Sequence, residues 1–145
     1  MAFRFKLASV LLVRESIEKR EELALQRVQA EIARAQQRMA VLTERIDRNR
    51  IERDRVLSQS TPAHQLQAIL AEMQAAIEAK RALLDSLAQL ERDRAERMEA
   101  YRAAHADHQL LADMLVAQRT SHDHEQVRRE QKTLDQVFAA KSPRS

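Results

Sequence analysis

Glycine, cysteine and tryptophan are absent from this chain of 145 residues, and proline occurs only twice. Each absence excludes something. Turns with positive φ draw on glycine or asparagine, so a chain without glycine can make very few tight turns. Without glycine there is also no phosphate-cradling loop, neither a P-loop nor a dinucleotide-binding turn, and nucleotide hydrolysis by this chain alone is excluded. Without cysteine there are no disulfides and no thiolate metal sites, which fits a reducing compartment. Aromatic residues make up 3% of the chain, too few for a thick core. Long apolar runs are missing as well. Leu7 to Val13 follows Arg4 and Lys6 in the manner of a signal peptide, but Arg14 and Glu15 come directly after it and no small-residue cleavage site is present. Nothing approaches the roughly 20 apolar residues that span a bilayer. The expected location is cytoplasmic.

What the chain does contain is alanine, leucine, glutamate, glutamine and arginine, the strongest helix formers, with charged residues at 32%. The 25 basic and 22 acidic side chains are interspersed, and the formal net charge is only +3. This is the profile of long, mostly solvated helices. It offers no concentrated basic block for nucleic acid.

The stretch Ser58-Gln59-Ser60-Thr61-Pro62 is the one convincing break. Thr61 can cap a following helix through its hydroxyl, and Pro62 suits a first helical position, where its missing N–H costs nothing. Ser58 and Ser60 weaken a helix by competing for backbone hydrogen bonds. The expectation is a single domain of the all-α class, a long antiparallel two-helix coiled-coil hairpin. Helix 1 runs from about 3 to 57, the hinge over 58–62, helix 2 from about 63 to 140, and a disordered tail over 141–145.

In the first arm, Leu25, Val28, Ile32, Ala35, Met39, Leu42 and Ile46 fall at alternating steps of three and four, a heptad seam that continues through Asn49 and Arg53 to Val56. Upstream, Phe3, Leu7, Val10, Ile17 and Ala24 keep that spacing one residue out of phase, so two registers meet near Ala24 and Leu25. The charge run from Glu44 to Arg55 reads as a solvated helix surface with i, i+4 pairs such as Glu44 with Arg48. In the second arm the seam runs Leu66, Leu70, Met73, Ile77, Lys80, Leu84 and Leu87, then Met98, Tyr101, Ala112 and Leu115, interrupted by Glu91, Arg94, His105 and His108. Beside it lies a second apolar stripe of Ile69, Ala76, Leu83 and Leu90. That stripe either packs at flanking positions of the same hairpin or serves as a docking surface.

At about 1.5 Å per residue the first arm reaches roughly 80 Å and the second roughly 115 Å, so pairing about the hinge puts Phe3 opposite Gln118 or so. Beyond that point helix 2 has no partner in its own chain. Val127, Leu134 and Phe138 share a face there, and an unpaired amphipathic helix frays or inserts into something else; insertion is the expectation. Pairing within one chain and antiparallel pairing of two chains both satisfy the heptads. The short connector favours the first.

His105 with His108, and His122 with His124, invite a metal hypothesis. An i, i+2 spacing places His122 and His124 on different sides of a helix, and no cysteine or clustered carboxylate completes a four-ligand set. A two-helix rod has no concave, water-excluding site, so neither catalysis, a cofactor nor a small-molecule substrate is expected.

The two ends of the chain add a resemblance. Phe3-Arg4-Phe5-Lys6-Leu7-Ala8-Ser9-Val10-Leu11 with Arg14-Glu15, and Arg128-Arg129-Glu130-Gln131-Lys132-Thr133-Leu134-Asp135, resemble the opening and closing segments of the flagellar export protein FliJ family. Gln136 stands where that family commonly has a glutamate. The resemblance implies a soluble stalk-like coiled coil, similar to the rotary stalk of the F-type ATPase and peripheral to the inner-membrane type III export apparatus. It implies insertion into the hexameric export ATPase FliI, contact with the export gate protein FlhA, and partnership with export chaperones and the ATPase regulator FliH. It assigns ATPase binding to Phe3, Phe5, Leu7, Arg14, Arg128, Arg129, Lys132, Leu134, Asp135 and Phe138, and gate binding to Ile69, Met73, Ala76 and Lys80. The rival readings are a generic coiled-coil adaptor, the equivalent stalk of a virulence-type secretion system, and a nonspecific nucleic-acid coil with steep salt dependence.

Overall fold

The helix-forming composition yields two α-helices, α1 over Ala8–Leu57 and α2 over Ala63–Lys141, of 50 and 79 residues. A computed structural model describes residues 3–60 and 62–141, and no strand occurs among them. The chain turns between the helices with no left-handed residue among those described. Ser58 ends α1: its hydroxyl donates to the Arg55 carbonyl at 2.7 Å and its amide to Asp54 at 3.2 Å, while the Gln59 amide donates to Val56 at 3.2 Å. These bonds satisfy carbonyls that the last turn leaves open. After the turn the Pro62 carbonyl accepts from the Gln65 amide at 3.1 Å. The capping role expected of Thr61 lies outside the described residues. So does all of the expected tail except Lys141, which is helical.

Helix 1 starts later than its sequence suggests. Phe3 to Phe5 are irregular and Lys6 and Leu7 form a turn, with the Ala8 amide donating to the Phe5 carbonyl at 3.1 Å. No acidic side chain lies in the first turn of α1 to favour an earlier start.

Contacts divide the chain into two units, Glu21–Tyr101 and Met1–Arg20 with Arg102–Ser145. In the first, the α1 seam is Leu25, Val28, Ile32, Ala35, Met39, Leu42, Ile46, Asn49, Arg53 and Val56, each buried or half-buried, as the heptad spacing requires. Ala35 is 1% exposed and Ala76 3%, small side chains that let two helices close down on each other.

On α2 the two stripes share the covered face. Ile69, Met73, Ala76, Lys80, Leu83, Leu87 and Leu90 are buried or half-buried at steps of four and three, and Leu66 and Ile77 of the expected seam are half-buried beside them. The expected second stripe is therefore half of the seam. Leu70 and Leu84, expected in the seam, are 44% and 51% exposed. Both stripes have the same period, and the covered face centres on the small side chain of Ala76, which allows the closer approach.

The second unit is built differently. Leu7 and the α1 residues Leu11, Arg14, Ile17 and Glu18 are half-buried, and on α2 Ala104 is buried with His108, Leu111, Ala112 and Leu115 half-buried. Of the residues expected in the other register, Phe3, Leu7, Ile17 and Ala24 are half-buried and only Val10 is exposed, so members of both registers are covered here. Counting back from Leu25 by fours and threes gives Glu21, Glu18, Arg14, Leu11 and Leu7, all buried or half-buried, whereas Val10 is exposed. The register survives because polar groups on α2 meet the polar seam positions.

Candidate functional site

The unit that joins the two chain ends carries most of the residues singled out from the sequence. Phe3, Phe5 and Leu7 are half-buried. The Phe3 ring lies 5.5 Å from that of His122, tilted by 51°, and the Arg119 guanidinium stands 5.9 Å from the Phe3 ring centre. An exposed cation over an aromatic face contributes about 0.5–1 kcal/mol, enough to bias an irregular segment onto α2. Phe3 thus meets α2 at Arg119 and His122, up to one helical turn past the level expected. Irregular residues cover more length each than helical ones, so Phe3 to Leu7 reach further.

Nearly two turns into α1, Arg14 Nη1 lies 3.4 Å from Asp107 Oδ2. A turn later Glu18 meets two histidines of α2. His105 Nδ1 is 2.9 Å from Oε1, and His108 contacts Oε2. The hydrogen bond from His105 holds the Glu18 carboxyl below the usual carboxylate range; burial pushes the other way, and His108 adds to the lowering. The i, i+3 spacing of His105 and His108 puts both on one helical face, and one carboxylate answers both. Sequence reasoning missed Glu18 and Arg14 as seam residues. The signal was the unbroken step of threes and fours from Leu25 back to Leu7, hidden because its members are polar. Among the described residues no group of three ligands is placed to hold a metal ion.

Past Gln126, the last half-buried position, α2 has nothing packed against it among the described residues. Val127 is 64% exposed, Leu134 53% and Phe138 73%. The polar side chains here bond along their own helix. Arg129 pairs with Glu125 at 2.9 Å, Gln131 donates to Asp135 at 3.2 Å, and the Thr133 hydroxyl donates to the Arg129 carbonyl at 2.9 Å. Such i, i+4 bonds brace a solvated helix and leave its apolar face open. Arg128, Lys132 and Leu134 are exposed on this length as well.

The structure thus brings Phe3 and Arg14 against α2, half-buries Phe5 and Leu7, and leaves Arg128, Arg129, Lys132, Leu134, Asp135 and Phe138 on the free end. Ile69, Met73, Ala76 and Lys80 belong to the other unit. Met73 and Ala76 are buried there, and Ile69 and Lys80 are half-buried. No helix among the described residues is long and apolar enough to cross a membrane. The model of one protein family, described as flagellar FliJ protein, matches residues 3–144. Comparison with curated proteins and with solved structures gives no significant match.

Proposed function

The chain belongs to the FliJ family of the flagellar export apparatus, and on that premise we propose that it acts as a central stalk, inserting its free helix end into the hexameric export ATPase FliI. The observation that carries this reading is the open length of α2 beyond Gln126, with Val127, Leu134 and Phe138 exposed on one face. Exposed apolar stripes of this kind mark contact sites. Leu134 and Phe138 anchor the contact, while Arg128, Arg129, Lys132 and Asp135 set orientation and association rate more than affinity. Phe3, Phe5, Leu7 and Arg14 brace the same end by tying the start of the chain to α2.

An asymmetric rod in a ring of like subunits touches each of them differently. It can bias their nucleotide states only by its differential binding free energy, which is coupling without covalent chemistry of its own. The stalk promotes ring assembly and activity and works in the cytoplasm, at the membrane-bound export apparatus. Its second contact is the export gate FlhA through the stripe of Ile69, Met73, Ala76 and Lys80. Ile69 and Lys80 supply the accessible edge, and the buried Met73 and Ala76 hold the two helices together beneath it. Export chaperones and the ATPase regulator FliH are further partners.

Deleting Val127–Ser145 is expected to abolish stimulation of FliI hexamers while the rest stays helical by circular dichroism. In the full chain Phe138→Asp should lower stimulation strongly without changing helicity. Undiminished stimulation by both variants would remove the assignment. For the gate, Ile69→Asp with Lys80→Glu should weaken FlhA binding and leave ATPase stimulation intact; equal losses of both would point to misfolding instead.

A further inference from the structure

Arg34, Arg38, Val41, Arg45 and Arg48 recur on α1 at steps of four and three, so they share one flank of the helix. Across from them α2 presents the small side chains Ala79, Ala82 and Ser86. Between the two runs a shallow groove of about 500 Å³ has Arg38, Val41 and Leu42 on one wall and Ala79, Ala82, Leu83 and Ser86 on the other. A second hollow of about 220 Å³ shares Val41 and is walled by Glu44, Arg45, Arg48, Asn49 and Glu72. Val41 itself is 54% exposed.

The arginines of α1 are not all alike. Arg48, Arg50, Arg53 and Arg55 each have a carboxylate partner on their own helix, namely Glu44, Asp47, Asp54 and Glu52. Arg38 on the groove wall, Arg45 on the wall of the adjoining hollow and Arg34 on the same flank of α1 have no carboxylate partner among the described residues. Positive charge left uncompensated beside an apolar trough is a feature with a complement: an apolar ridge with acidic side chains along one edge.

We propose that this groove receives one amphipathic helix of another protein. Its apolar ridge lies on Val41, Ala79 and Ala82, and its Asp or Glu residues face Arg34, Arg38 and Arg45. Ridges from a third helix fit a trough between two paired ones at axis separations of about 8–10 Å, and alanines in the floor permit the short end of that range. Glu44 and Glu72 wall the adjoining hollow and bring negative charge there themselves, which keeps the acidic edge toward the Arg34 and Arg38 side of it. The free end of this chain's own α2 is a poor occupant. Its Val127 to Lys141 carry four basic against two acidic side chains. A second copy laying the same flank on this one would set arginine against arginine. The proposal does not depend on the stalk reading, because it uses only residues of Glu21–Tyr101.

The test uses the full chain and a synthetic helical peptide of about three heptads, with leucine along its ridge and glutamate along one edge, followed by fluorescence anisotropy. A control peptide carries lysine in place of each glutamate. The glutamate peptide should bind at least about tenfold more tightly than the lysine peptide and weaken as salt is raised. Arg38→Glu with Arg45→Glu should cost about tenfold or more. Ala82→Trp, which fills the floor, should do the same, with circular dichroism unchanged in each variant. Arg50→Glu, on the opposite flank, should leave affinity as it was. Equal binding of the two peptides, binding of neither, or indifference to the groove variants overturns the proposal. So does sedimentation showing that the wild-type chain self-associates and that Ala82→Trp abolishes it, which would make a second copy the occupant.

Discussion

The two units solve the pairing of α1 with α2 by opposite means. In Glu21–Tyr101 seven apolar residues are buried, namely Leu25, Ile32, Ala35, Ile46, Val56, Met73 and Ala76; in the unit of the chain ends Ala104 alone is buried among the described residues. There two of the four seam positions before Glu21 go to Arg14 and Glu18 beside the half-buried Leu7 and Leu11, and Asp107, His105 and His108 answer them. Burial of one large aliphatic side chain contributes about 1.5–3 kcal/mol, whereas a partly exposed ion pair gives about 0–1. The first unit therefore holds the helices together, and the second fixes their register without making that end hard to open. Polar residues in a seam lower stability and specify alignment. Local opening of that end therefore costs little.

The sharpest way to break the contrast is to damage the apolar seam. Ile32→Ala should destabilise the chain by about 2 kcal/mol, the lower part of the usual range because a two-helix core can partly collapse into the space. Urea unfolding followed by circular dichroism measures it. Ala35→Leu should cost about 1–3 kcal/mol by overpacking, since Ala35 is only 1% exposed.

In the polar seam the effects should be smaller. Glu18→Gln should cost about 1 kcal/mol and speed exchange of amides in the first turns of α1 more than those around Ile32, as read by hydrogen exchange. Acid sharpens the same point. A carboxyl held below its ordinary range contributes stability that is fully present above the unfolded-state value, about 4.3, and is lost as pH falls through the lowered one. Thermal unfolding midpoints should therefore fall more steeply below about pH 4.3 in the wild type than in Glu18→Gln; parallel curves would show that the His105 contact does not form in solution. The smallest effect belongs to the exposed pair of Arg48 with Glu44, whose side chains are 74% and 62% exposed. Arg48→Ala should leave the unfolding midpoint unmoved within error.

Much of this was legible in the residues. The Ser58 to Pro62 break, the absence of glycine and the run from Leu25 to Val56 give two helices and the covered face of the first. The unpaired length of α2 follows from unequal arms. Less legible was which members of two equal-period stripes on α2 turn inward, since the exposed Leu70 and Leu84 are as apolar as the half-buried Ile69 and Leu83. Least legible was Glu18. A glutamate in a heptad register looks like a surface residue until the histidines opposite it are known, and those lie 87 and 90 positions away in the chain.

Sequence alone settled the elements of this protein: helix propensity and period are local properties, written within a few turns of chain. Tertiary structure decided which face each helix spends on the other, that Glu18 joins His105 and His108, and which arginines of α1 are left without a carboxylate. Those outcomes depend on the level at which one helix lies beside the other, and a shift of one turn would change every cross-helix pair while altering no residue's own preference.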